Sequence, residues 1–272
     1  MPGGGRILLE EAYVLHRHPY RDSSLIVELL TCRHGRVAVV ARGARRPRSR
    51  YRGVLEPFRP LLASWQGRGE LATLGSVEAQ PGAAVLPAPL LPHGFYLNEL
   101  LLRFLHRNDP CEAVFHLYAG ILRALAGMGS GARNGAENEA AVQRRLRIFE
   151  KRLLEAVGYG LMLEQDVTGA AIDAEGIYYY VPQQGLRRAT AWPGKAPGRT
   201  QETTGTRAFL GRSLLDLAAE TLDDVRSLRE SRYLLRQALR ELLGDRPLHS
   251  RRLLPVAMGK ERKKPDREGE KL

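Results

Sequence analysis

In the first third of the chain, apolar residues come in short runs separated by turn-forming residues. Ala12 to His18 reads as the core of a first strand, and Pro19-Tyr20-Arg21-Asp22 as the turn after it. Ser24 to Thr31 is a second strand, His34-Gly35 a turn, and Arg36 to Ala41 a third strand. A polar segment follows. Phe58 to Trp65 is then a fourth strand, Gly67-Arg68-Gly69 a hairpin turn and Glu70 to Glu78 a fifth strand. Pro60 belongs at an edge or a bulge, since it has no N–H to give a ladder. Five strands with little helix between them predict an OB-fold barrel.

The period then changes from that of strands to that of helices. Pro81, Pro87, Pro89 and Pro92 mark the crossing. From His93 to about Asn108, residues Tyr96, Leu97, Leu100, Leu101, Phe104 and Leu105 recur at helical spacing. Asp109-Pro110 reads as the cap and first residue of a second helix, which runs to about Ala126. The glycine-rich stretch 127–138 reads as a loop. A third helix over Glu139 to Val157 carries the stripe Val142, Leu146, Phe149, Leu153 and Val157, and Gly158 and Gly160 stop it. Residues 166–204 break the helical pattern, with a strand at Ile177 to Val181, a turn at Gln184-Gly185 and loop from Pro193 to Thr204. Helices resume at Arg212 to Glu220, Leu228 to Leu243 and Ser250 to about Met258. The fold class is therefore α+β, an N-terminal OB-fold barrel followed by a mostly helical domain with a small β insertion. The expected division is 1–80 for the barrel, 81–258 for the helical domain, and 259–272 for a charged, disordered tail.

Composition narrows the partner. The net charge is +12 and the isoelectric point near 10.1, which call for a polyanion such as nucleic acid or an anionic membrane. Two cysteines, Cys32 and Cys111, cannot make a disulfide framework or a four-cysteine zinc site, and they suit a reducing cytosol. No apolar run is long enough for a membrane span, and none follows the N-terminus as a signal peptide requires.

The charge is concentrated between the third and fourth strands. Arg42-Gly43-Ala44-Arg45-Arg46-Pro47-Arg48-Ser49-Arg50-Tyr51-Arg52 holds six arginines in eleven residues and no acid. Such a loop repels itself. A polyanion removes that repulsion and releases counterions, and the planar guanidinium grips two phosphate oxygens at once. The plain alternative is a solvated basic loop. Arg42, Arg45, Arg46, Arg48, Arg50, Arg52 and Arg21 are the candidate phosphate contacts. Tyr20 and Tyr51, in polar loops beside arginines, are the candidates for stacking on bases. Motifs for catalysis are missing. There is no G-x-x-x-x-G-K-[ST] loop, no nucleophile elbow and no clustered acids. His16 and His18 share a strand face, but no third ligand has a fitting spacing. The chain reads as a binder with neither metal nor cofactor. An RNA-binding OB module, a DNA enzyme with an unrecognised site and a protein scaffold stay open as rivals.

The chain resembles the RecO family of bacterial recombination mediators. The carrying residues are Ala12-Tyr-Val-Leu-His16, Tyr20-Arg-Asp-Ser-Ser24, Thr31 with Gly35-Arg36-Val37, and Val40-Ala-Arg-Gly-Ala-Arg45. Further matches are Leu55-Glu-Pro-Phe-Arg-Pro-Leu61, Gly67-Arg-Gly-Glu-Leu71, Tyr96-Leu-Asn-Glu-Leu100, Leu146-Arg-Ile-Phe-Glu150, Gly158-Tyr-Gly160 and Pro247-Leu-His-Ser-Arg251. The resemblance implies binding to single- and double-stranded DNA, strand annealing, and help in loading RecA onto DNA coated by SSB. It implies RecR as a partner and a cytoplasmic, nucleoid-associated protein. It also implies docking of the acidic SSB C-terminal tail, which needs an apolar pocket with a cation at its rim. Arg147 and Lys151, one turn apart, are the cations expected there, and Leu100, Leu101 and Phe104 the wall. Many family members carry a four-cysteine zinc module after the Gly-Tyr-Gly turn. Glu164 to Leu186 has no cysteine, so no zinc is expected, and Tyr178, Tyr179 and Tyr180 must hold the insertion instead.

Overall fold

The computed structural model describes residues 5–67, 69–82, 85–128, 135–189, 207–244 and 247–254. Its first five strands are β1 (Arg6–Tyr20), β2 (Ser24–Thr31), β3 (Gly35–Ala41), β4 (Pro60–Gln66) and β5 (Ala72–Ala79). They close into a barrel in the order β1-β2-β3-β5-β4, antiparallel everywhere except the β3–β5 seam. This is the expected OB-fold. Its interior follows a period of two: Ala12 and Val14, Val27 and Leu29, Val37 and Val39, Leu61, Ala63 and Trp65, then Ala72 and Leu74. Tyr13, Leu15 and Leu30 point the other way and join the core of the helical domain. β1 is therefore buried on both faces from Ala12 to Leu15, and one apolar core runs from the barrel wall into the helices.

β1 starts six residues earlier than its pattern indicates. A register shift between Ile7 and Glu10 turns Leu8 and Leu9 outward and Glu10 inward, which hides the alternation. Glu10 is buried, yet its carboxyl is held below its usual range. Burial raises it, but hydrogen bonds from the Arg33 guanidinium and backbone N–H, with Arg33's charge, more than offset that.

The helical domain comprises α1 (Leu91–Phe104), α2 (Glu112–Met128), α3 (Gly135–Ala156), α4 (Gly211–Ala218) and α5 (Val225–Leu243). The second helix does not begin at Asp109-Pro110. That segment is tied to the barrel instead: Asn108 N–H donates to the Arg36 carbonyl at 2.8 Å, and the Asp109 backbone lies hard against Gly35. The third helix begins at Gly135, four residues ahead of the expected Glu139. Only residues 129–134 of the supposed loop are left, and they lie outside the described residues. The final helix reduces to one 3-10 turn, His249–Arg252, capped by the Glu99 carboxylate; Leu253 and Leu254 leave it as turn and bend, and the rest of the expected helix, 255–258, lies outside the described residues.

A polar clamp locks the barrel to the helices. Glu28 of β2 is buried and takes an ion pair from Arg36 at 3.1 Å and another from Arg107. Arg36 also donates to the carbonyls of Leu102 and Leu105, which the end of α1 leaves without helical partners. Asn98 of α1 donates to the Leu15 carbonyl and accepts from Tyr118 of α2.

The insertion forms a small sheet of β6 (Ile177–Val181), β7 (Gly185–Arg188) and β8 (Ala208–Leu210), in the order β7-β6-β8. Side chains hold it where a zinc module was not expected. Asp166 accepts three bonds from Thr168 and Ala170, which closes a tight loop. Tyr178 is buried and accepts from the Asp173 N–H, while Tyr180 donates to Glu241 of α5. Tyr179 is half-buried on the opposite face of the strand. The expected loop over 193–204 and the tail over 259–272 lie outside the described residues.

Candidate nucleic-acid interface

The arginine segment is the crossover from β3 to β4, and it is a chain of turns with fixed hydrogen bonds. Arg46 N–H donates to Gly43, Ser49 to Arg46, Arg52 to Ser49 and Val54 to Tyr51. Tyr51 and Leu55 plug it into the barrel, at 4% and 2% exposure. With its backbone held this way, the crossover turns its charge outward: Arg42, Arg45, Arg46, Arg48, Arg50 and Arg52 are all exposed. None of the six has an ion-pair partner among the described residues. Arg42, Arg46 and Arg48 also make no side-chain hydrogen bond among the described residues, whereas Arg50 donates to the Gly75 carbonyl at 2.6 Å and Arg52 to that of Pro47.

The crossover meets the β1–β2 turn. Arg45 N–H donates to the Ser23 carbonyl at 2.9 Å, and its guanidinium reaches the Arg21 carbonyl. Arg21 sits at φ 50°, a left-handed conformation, and its guanidinium lies over the Tyr20 ring at 5.1 Å. The fold thus gathers Tyr20, Arg21 and the six crossover arginines, which sequence separates, on one rim of the barrel. Tyr51 corrects the sequence reading. Its ring is buried, covered by the Arg50 guanidinium at 4.9 Å, and its hydroxyl bonds to the Leu74 and Gly75 carbonyls. It anchors the crossover and has no free face for a base.

The expected tail pocket is rearranged as well. Leu100 and Leu101 are fully buried in the core, so they line no open surface, and only Phe104 keeps partial exposure. Lys151 is held by Glu155 and Glu220, and Arg152 also pairs with Glu220. The hydrogen bonds from Arg152 and Lys151 hold the Glu220 carboxyl below its usual range, against its burial. Arg147 is 5% exposed and donates to the buried Glu150, while its Nε has no hydrogen-bond partner among the described residues. Tyr96, also bonded to Glu150, has its hydroxyl pushed far up, by burial first and the Glu150 charge second.

His16 and His18 stack edge to face, their ring centroids 4.1 Å apart. His16 lines an open cleft of about 420 Å³ between the barrel and α1, with Arg17, Phe58, Arg59 and Phe95. Among the described residues, no group of three or more His, Cys, Asp or Glu side chains is placed to hold a metal, and no helix is long and apolar enough to cross a membrane.

Comparison with known proteins agrees with the resemblance. The family described as Recombination protein O N terminal matches residues 6–81, and that described as Recombination protein O C terminal matches residues 91–252. The DNA repair protein RecO of Thiobacillus denitrificans is 40% identical over 254 residues, covering 93% of this chain and 94% of its own. That of Coxiella burnetii (strain RSA 331) is 43% identical over 250 residues, covering 92% and 98%. That of Alkalilimnicola ehrlichii is 46% identical over 250 residues, covering 92% of each chain.

Proposed function

The chain belongs to the RecO family of DNA repair proteins, and we propose that it serves repair by binding DNA phosphates along the rim formed by the β3–β4 crossover and the β1–β2 turn. The observation that carries this reading is the set of six exposed arginines, without ion-pair partners among the described residues, on a backbone already fixed by turn bonds. The loop backbone does not have to order on binding, so the entropic cost is confined to the arginine side chains. Contacts of this kind position a strand without reading its bases, which suits a protein that must work at any damaged site. Tyr20 is the aromatic left on the rim for a base to stack on.

On this reading the chain binds single- and double-stranded DNA, anneals strands, and with RecR assists RecA loading on SSB-coated DNA. It carries out no catalysis and needs no cofactor. The relatives' names favour DNA over the RNA alternative. For the SSB tail, Arg147 remains the cation of choice, since its unpartnered Nε is a donor that a carboxylate would satisfy; the pocket wall must come from residues other than Leu100 and Leu101. The test is competition between matched single-stranded DNA and RNA for the full-length protein, followed by annealing of complementary DNA strands. Preference for DNA with faster annealing is expected. Equal or better RNA binding without annealing would overturn the reading.

A further inference from the structure

The last α-helix, α5, presents a second basic surface, which the crossover does not explain; its half-buried Arg232 lies within electrostatic reach of Arg147. On α5, Arg229, Tyr233, Arg236 and Arg240 are exposed and follow one another at helical spacing, with Arg226 and Arg232 beside them half-buried. The helix has two acids, and both are spent inward. Glu230 is 6% exposed and accepts from Arg226 and the Leu210 N–H, while Glu241 accepts from Tyr180. The outer face is left with arginine and one tyrosine, whose ring lies 3.4 Å from the Arg207 guanidinium. Arg229, Arg236 and Arg240 have no ion-pair partner among the described residues.

Helix stability accounts for Arg240, in the last turn, and for Arg226, paired with Glu230, but not for the rest of this face. Like charges three and four residues apart repel, and cations in the first turns oppose the helix dipole. Arg229 stands where an acid would stabilise α5, and Arg232, Arg236 and Arg240 are successive i,i+4 neighbours. From Arg226 to Arg240 the row spans about 21 Å at 1.5 Å per residue, long enough to follow several phosphates of one strand. It belongs to a different part of the fold from the crossover, since α5 packs on α4 and α3 and the crossover belongs to the barrel.

We propose that the outer face of α5 binds the phosphate backbone of a second DNA strand, so that one chain holds two strands at separate surfaces. This rests on the reading that the barrel rim holds the first strand. Annealing then becomes a property of a single chain, which brings two strands into one neighbourhood.

The test uses the full chain with Arg229→Gln, Arg236→Gln and Arg240→Gln combined. Glutamine keeps the helix propensity and removes the charge. A parallel variant with lysine at all three positions keeps the charge. Labelled single strands are titrated at low salt, and annealing of complementary strands is timed. In the glutamine variant the number of strands bound per chain should fall from two to one and annealing should slow about tenfold, while first-strand affinity stays within about twofold; lysine should restore both losses. Two strands bound and unchanged annealing in the folded glutamine variant would overturn the proposal. So would loss of binding to an acidic peptide such as oligoglutamate with both strands retained, which would assign the face to a protein partner. Should the triple variant fail to fold, Arg236→Gln alone is judged by the same two readouts. Failure here leaves the barrel-rim reading standing, because that reading falls only if neutralising the crossover leaves first-strand binding unchanged.

Discussion

Replacing Glu28 by glutamine tests whether the barrel and the helices are held by the clamp described above. The Glu28 side chain is 4% exposed and faces the Arg36 and Arg107 guanidinium groups. Arg36, at 16%, cannot follow its lost partner into water, because its other nitrogen is bonded to the Leu102 and Leu105 carbonyls at 2.6 and 2.9 Å. Breaking one partner of a buried pair costs about 3–5 kcal/mol. Arg107, at 37%, can turn outward and recover hydration, which lowers the expected loss to about 2–4 kcal/mol. At about 2–4 °C per kcal/mol for a chain of this size, the melting temperature should fall by roughly 4–16 °C. Urea denaturation at pH 7, with and without 0.5 M salt, measures the loss. Because Glu28 is buried, most of the loss should survive the salt. A loss below about 1 kcal/mol, or one that disappears in salt, would refute the reasoning.

Three further outcomes follow from the same structure. Gly35→Ala should destabilise by more than the 1–2 kcal/mol of a left-handed alanine, because Gly35 sits at φ 64° and an added Cβ would lie 1.9 Å from the Asp109 carbonyl oxygen; thermal melting checks it. Glu220 has a depressed folded value, so its contribution is full above its unfolded value of about 4.5 and is lost as pH falls through the lower folded one. Glu220→Gln should therefore lower stability at pH 7 and flatten the decline on the acid side, as read from melting between pH 3 and 7. Chelator should leave the melting temperature unchanged and the purified chain should carry no stoichiometric zinc, since Asp166, Tyr178 and Tyr180 already close the small sheet with hydrogen bonds.

The barrel was legible because its interior obeys a period of two, and the helices because their apolar stripes obey one near 3.6. The places that were not legible share a cause: a tertiary contact overrides the local pattern. A bulge turns Glu10 inward and Leu8 and Leu9 outward, so the start of β1 has no alternation to read. Asp109-Pro110 has the chemistry of a helix start, yet its backbone is taken up by Gly35 and its neighbour Asn108 by Arg36. For the site, the six arginines and the Tyr20-Arg21 turn were visible in the sequence, but their meeting through Ser23 was not. Tyr51 misled because an aromatic in a polar loop serves equally as an anchor or as a platform, and only its burial decides. Leu100 and Leu101 misled because α1 is buried along most of its length, so an apolar stripe there marks core and no pocket. The arginine spacing on α5 could be read directly, but the inward turn of Glu230 and Glu241 that leaves its outer face free of acid could not.

The central claim is that the crossover arginines bind DNA through phosphates. Arg42, Arg46 and Arg48 are the right set to neutralise, because their side chains make no hydrogen bond among the described residues and the turn backbone does not depend on them. The measurement is the salt dependence of single-strand DNA binding by the parent and by the triple glutamine variant. Each lost phosphate contact should lower the slope of log affinity against log salt by roughly 0.7, so the triple variant should lose about 2 from the slope with little dependence on base sequence. An unchanged slope in a variant that melts like the parent would contradict the account.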